Sequence, residues 1–154
     1  NDVRQGARGG TTVREAAARG VILDVGHAGV HFDVEVAQAA LEQGLLPTTL
    51  STDMVRPQVA RRMYDLPGVM STFLALGMPL ADVIRAVTEA SARAIGRAGS
   101  LGTLTPGADG DAAVLEIEEG DFMFGDAAGH ELKATRRFVP VLTVRAGRRW
   151  RPRL

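Results

Sequence analysis

Apolar positions in the first part of the chain fall into short unbroken runs and longer stripes with helical spacing. Thr12 to Arg19 predicts a short helix, because Thr12 and Glu15 have capping-box spacing and Gly20 suits the left-handed position that ends it. "VILDV", from Val21 to Val25, is almost wholly apolar and predicts a strand buried on both faces, as in parallel sheets. Val34, Ala37 and Leu41, with Val36 and Ala40 beside them, form one helical stripe that Gly44 closes, and "TTLST" follows as a second strand. Strand, helix and strand with short connections predict a βαβ unit, with parallel strands and a right-handed crossover.

Leu66, Val69, Met70, Phe73 and Leu74 recur at helical spacing, with Pro67 in the first turn and Gly77 at the end. Pro79 opens a longer predicted helix with Leu80, Val83, Ile84, Val87, Ala90 and Ala94 inward, and Gly96 stops it. The texture then changes. "GSLGTLTPGADGD" is turn-rich, and "AAVLEI", "ELKATRRFVP" and "VLTVRAGRRW" predict short strands. The expected organisation is an α/β part over residues 1–96 and a small β part over 97–154. Two strands as apolar as these need neighbours on each side, so the chain is expected to be a slice of a larger fold. The loop-like start "NDVRQGARGG" fits that expectation.

The 154 residues suffice for one ordinary domain, and 18 basic against 18 acidic side chains leave a formal charge of zero. No global field therefore favours nucleic acid or an anionic membrane as a partner. The chain has no cysteine, which removes disulfides and thiolate metal sites. Lys133 is the only lysine, so any mechanism that needs one must use it or borrow another. No apolar run approaches the ~20 residues of a membrane span, and a cytoplasmic location is the default expectation.

In parallel α/β folds, ligand sites lie beyond the carboxyl ends of the strands. His27 follows the first predicted strand and Asp53 the second, so a βαβ fold brings both to one rim. Imidazole and carboxylate are common ligands and proton carriers of hydrolytic metal sites. Each also has a plainer reading: Asp53 as a turn former or helix N-cap, His27 as a hydrogen-bonded loop residue beside Gly26. His31 reads as a rim residue. Arg56, Arg61, Arg62 and Tyr64 follow Asp53 in a loop where an arginine could grip a substrate carboxylate, or simply face solvent. Asp33 and Glu35 suit the first turn of their helix, Asp109 and Asp111 suit a turn, and His130 is expected to be exposed without a companion. No Ser-His-Asp motif, phosphate-binding glycine loop or basic-aromatic interleaving is present.

"GVILDVGHAG", "EVAQAALEQGLLPTTLSTD", "YDLPGVMSTFLALGMPLADVIRAVTEASARAIG" and "GSLGTLTPGADGDAAVLEIEEG" together resemble the last part of the amidohydrolase superfamily. The nearest branch is the dihydroorotase-like group of amidohydrolases and deacetylases, and the resemblance runs from about Val13 to Gly147. It implies the C-terminal part of a (β/α)8 TIM-like metallohydrolase barrel plus a small β-sandwich. It also implies one or two divalent metal ions, usually zinc, with most ligands outside this chain. By the same resemblance Asp53 in "STD" is the aspartate of the last barrel strand, a metal ligand and the catalytic base. His27 matches a substrate-side histidine on the preceding strand, and Arg56 becomes a candidate substrate clamp.

The resemblance further implies a His-x-His pair and a metal-bridging lysine among the ligands; the pair is absent here and Lys133 lies in the predicted sandwich, so this chain cannot assemble that metal centre alone. Ala28 and Val30, Met54 and Val55, and Ala90 and Ser91 depart from the usual pattern, and the first two departures bear on the substrate more than on the reaction. The expected activity is metal-dependent hydrolysis of an amide or ester of a small molecule. The alternatives are a cyclic-amide hydrolase or deaminase of the same superfamily, or a non-catalytic scaffold subunit. The expected partner is a small-molecule substrate rather than nucleic acid or membrane, within a homo-oligomer.

Overall fold

The computed structural model describes residues 6–27, 31–54 and 65–150, and it is mixed α/β. Helix α1 (Gly6–Ala18) precedes a short strand β1 (Asp24–Gly26), helix α2 (Val34–Glu42) and strand β2 (Thr49–Ser51). β1 and β2 pair in parallel with Gly26 opposite Ser51, as the strand-helix-strand order predicts, but β1 begins at Asp24 rather than Val21, and Val21 and Ile22 are about half exposed instead of buried on both faces. Helix α1 starts earlier than the capping box predicts. No proline interrupts the stretch before Thr12, and glycines in a helix cost only about 1 kcal/mol each without barring it. Gly20 (φ 88°) and Gly44 (φ 72°) take the left-handed positions that end α1 and α2.

Helix α3 (Leu66–Ala75) carries Pro67 in its first turn, and Asp65 caps it by accepting from the N–H of Gly68 at 2.8 Å. It is buried from Val69 to Leu74, which explains why Ser71 and Thr72 turn their hydroxyls onto the carbonyls of Pro67 and Gly68. The single helix expected after Pro79 is instead two, α4 (Leu80–Val87) and α5 (Glu89–Ala94). The break at Thr88 has a local and a tertiary cause. Its hydroxyl bonds the carbonyl of Ile84 at 2.6 Å, and Gly102 packs so tightly on its carbonyl that an added Cβ would lie 2.5 Å away.

The remaining residues form an antiparallel sheet of β3 (Ala112–Gly125), β4 (Glu131–Arg145) and β5 (Arg148–Arg149). "ELKATRRFVP" and "VLTVR" are one continuous strand rather than two, because Pro140 sits at a bulge where the register shifts between Val114 and Leu115. The α/β part and the sheet share a core. Phe138 of β4 belongs to the same buried cluster as Val69, Phe73, Leu74 and Leu76, and its N–H donates to the hydroxyl of Ser71 at 2.8 Å. Among the described residues no helix is long and apolar enough to cross a membrane.

Candidate active site at the ends of the parallel strands

Strand alternation sorts β1 and β2 into two faces. Val25 and Leu50 pack into the core, while Asp24, Gly26, Thr49 and Ser51 point the other way. Asp24, which looks like one polar interruption in an apolar run, ties the two strands together. Its carboxylate accepts from the hydroxyls of Thr49 and Ser51, both at 2.7 Å. Short alternation cannot be read from "VILDV", so this polar stripe was not legible in the sequence.

Asp53 lies two residues beyond β2 with φ 46°, a left-handed conformation that aspartate tolerates better than most residues. Its side chain is exposed and lies over Gly26: a Cβ on that glycine would stand 3.0 Å from Asp53 Cβ and 3.4 Å from its Oδ2. A side chain at the end of β1 would push Asp53 aside by a few tenths of an ångström, so glycine there lets the carboxylate sit close over the strand. His27 follows immediately, its N–H donating to the carbonyl of Ser51 at 3.2 Å. The two residues that sequence spacing places on one rim therefore stand at the carboxyl ends of adjacent strands.

They differ in environment. Asp53 faces solvent, whereas His27 is 0% exposed and lies flat on the ring of Phe32, with centroids 4.4 Å apart and planes inclined by 21°. Burial pushes the His27 imidazole below its ordinary pKa, and the negative charge of Asp126 only partly offsets this. The imidazole is therefore neutral near pH 7. Arg56, with Arg61, Arg62 and Tyr64, lies outside the described residues, as do Ala28, Val30 and Val55.

His130 corrects its sequence expectation, being partly buried and paired twice. Its Nδ1 stands 2.8 Å from Asp126 Oδ2, and its Nε2 stands 3.4 Å from Glu35. Asp33 does not merely charge the first turn of α2. It is the N-cap, accepting from the N–H of Val36 at 3.0 Å. Asp126 itself was missed, because a "GD" after a strand reads as turn chemistry.

Among the described residues, Asp33, Asp126 and His130 bring possible metal-ligand atoms within 4.8 Å of one another. The oxygens of Asp126 are nevertheless fully engaged. Oδ1 accepts from the N–H groups of Ala128 and His130, both at 2.9 Å, and Oδ2 from the N–H of Val34 and the His130 ring, both at 2.8 Å. That pattern suits a hydrogen-bonded clasp better than a metal ligand. Asp53 instead offers an exposed carboxylate whose position fits one ligand of a divalent ion, with the other ligands to come from elsewhere.

A deacetylase of Brucella anthropi is 34% identical over 128 residues, covering 83% of this chain and 32% of that protein. A deacetylase of Agrobacterium fabrum is 35% identical over 128 residues, covering 83% of this chain and 31% of that protein. The crystal structure of an adenine deaminase matches with a TM-score of 0.82 at 28% identity, over 89% of this chain and 37% of that one. A dihydroorotase structure matches with a TM-score of 0.75 at 29% identity, over 90% and 38%. The chain thus spans about a third of the length of these relatives. With its parallel strands ending in an exposed aspartate, and with the model of the Amidohydrolase family matching residues 10–149, the chain belongs to that family.

Proposed function

We propose that this chain supplies the last two strands of an eight-stranded (β/α) barrel, together with part of a small β-sandwich, to a metal-dependent hydrolase of small-molecule amides or esters. The observation that carries this reading is Asp53, an exposed carboxylate at the mouth of β2 seated over Gly26 of β1. The unpaired side of β1 supports completion by further strands. A groove of about 720 Å³ opens beside β1 and α2, lined by Ile22, Val25, Phe32, Leu41 and Leu46, and Ile22 and Leu46 are left 46% and 43% exposed.

A divalent ion, zinc by the family resemblance, would be held here by Asp53 with ligands from outside this chain, and it would supply Lewis-acid polarisation of the carbonyl and activation of water. Asp53 takes a proton from the attacking water and delivers it to the leaving group. His27 stands on the substrate side; neutral, it can donate or accept one hydrogen bond without adding charge to the site. Arg56 is the proposed clamp for a substrate carboxylate.

Deacylation is favoured over deamination or ring opening because two relatives at 34% and 35% identity are deacetylases. The adenine deaminase likeness keeps deamination as the second reading. The test is turnover by the protein that contains this chain, loaded with zinc, against N-acyl and O-acyl carboxylic acids, cyclic amides and aminopurines. Hydrolysis of the acyl substrates is expected. Turnover confined to aminopurines or cyclic amides would move the assignment, and a metal-free protein that hydrolyses nothing would leave a scaffold.

A further inference from the structure

The turn between β3 and β4 reaches back across the molecule to the segment that follows His27. Two contacts hold that segment on either side of Asp33. The N–H of Val34 donates to Asp126 Oδ2 at 2.8 Å, and the N–H of Ala127 donates to the carbonyl of Phe32 at 3.4 Å. The turn is itself rigid. Asp126 Oδ1 gathers the N–H groups of Ala128 and His130, and the N–H of Asp126 donates to the carbonyl of His130 at 3.2 Å. The His130 ring completes the clasp, its Nδ1 on Asp126 and its Nε2 beside Glu35 in the first turn of α2. Because an ionised carboxylate only accepts, Nδ1 is the donor.

Phe32 is what the clasp delivers. Its ring is buried, tilted at 58° against Phe73 with centroids 5.7 Å apart, and it forms the surface on which the His27 imidazole lies. The backbone of His27 is anchored separately through Ser51, and the stacked Phe32 ring is a contact that bears on how the imidazole is oriented. We propose that Asp126, with His130 behind it, is a positioning residue for His27, acting through the Phe32–Val34 backbone. The inference rests on the reading of His27 as a substrate-side residue. It extends that reading by making the β-sheet part an element of the active site rather than an appendage.

The test uses the complete protein, its histidines labelled with carbon-13 and the His27 ring assigned by His27→Gln. In the wild type, stacking on Phe32 displaces the His27 ring-proton resonances upfield. In Asp126→Ala that displacement is expected to be lost in large part, and kcat/KM for the acyl substrate to fall by about 10- to 100-fold, as for a catalytic group moved by under an ångström or so. Glu118→Gln, in an exposed pair with Arg137 on the same sheet, should change neither. Should Asp126→Ala fail to fold, His130→Gln loosens the clasp from its other end and should move the same resonances in the same direction. Unchanged His27 resonances in a folded clasp variant would overturn the proposal, whatever the activity does. If the wild type hydrolysed no acyl substrate, the functional reading would fail while the resonances still decided the positioning.

Discussion

Gly26 and His130 are the residues whose chemistry can be isolated most cleanly. Gly26 has an ordinary backbone conformation, so alanine is tolerated by the strand, but its Cβ would press on Asp53 at 3.0 Å. Gly26→Ala should therefore leave the thermal midpoint nearly unchanged while lowering kcat roughly tenfold or more through displacement of the carboxylate. Unaltered kcat would show that Asp53 does not act from this position. At His130 the hydrogen bond to Asp126 raises the imidazole pKa against an opposing effect of burial, and the charges of Asp126, Glu35 and Asp33 add to the rise. A raised folded-state pKa means stabilisation that is complete below about pH 6.5 and fades as the pH climbs through the folded value. The gap in thermal midpoint between wild type and His130→Ala should accordingly be wider at about pH 6 than at about pH 9; an equal gap would mean that His130 contributes only its neutral hydrogen bond. Burial pushes the Asp126 carboxyl up, but the N–H of Val34 and the ring and N–H of His130 outweigh it and hold the group well below the usual carboxylate range. Its contribution is present above about pH 4 and is lost only on further acidification. His27, with its lowered pKa, works against stability below about pH 6.5, where a buried neutral ring must take up charge, and comparison with His130→Ala cancels that effect.

At the level of elements, the packing of α3 against β4 holds the α/β part and the sheet together, and one buried hydroxyl serves both. Ser71 accepts from the N–H of Phe138 and donates to the carbonyl of Pro67. Ser71→Ala should destabilise the fold by about 1–3 kcal/mol, the cost of stranding a buried donor, measured by denaturant unfolding. A change within a few tenths would mean that the strand shifts to find another acceptor. Helical stripes and the βαβ order were legible because burial of one face leaves a period in the sequence. The hairpin strands were legible in type but not in length, since Pro140 reads as a terminator until the bulge that accommodates it is seen. The break at Thr88 was not legible, because its cause includes Gly102, brought against it only by the tertiary fold. The same limit hid the clasp. Asp126 and Val34 are 92 residues apart, and no local pattern announces a cap supplied from another element.

At the scale of the whole molecule, the polar stripe on one face of β1 and β2 and the exposed apolar side chains of Val21, Ile22 and Leu46 support the proposal that further strands complete the site. His27 and Asp53 were readable because strand ends mark ligand sites in parallel folds; the surroundings that distinguish a buried, neutral ring from an exposed carboxylate were not. In the proposed enzyme the aspartate moves protons, the histidine faces substrate, and the β3–β4 turn fixes the histidine. The most direct test is steady-state hydrolysis of an acyl substrate by the complete, zinc-loaded protein and its Asp53→Asn variant. An amide cannot take the proton from water, so kcat should fall on the order of 10²- to 10⁴-fold while the fold persists. A variant that turns over at the wild-type rate would contradict the account.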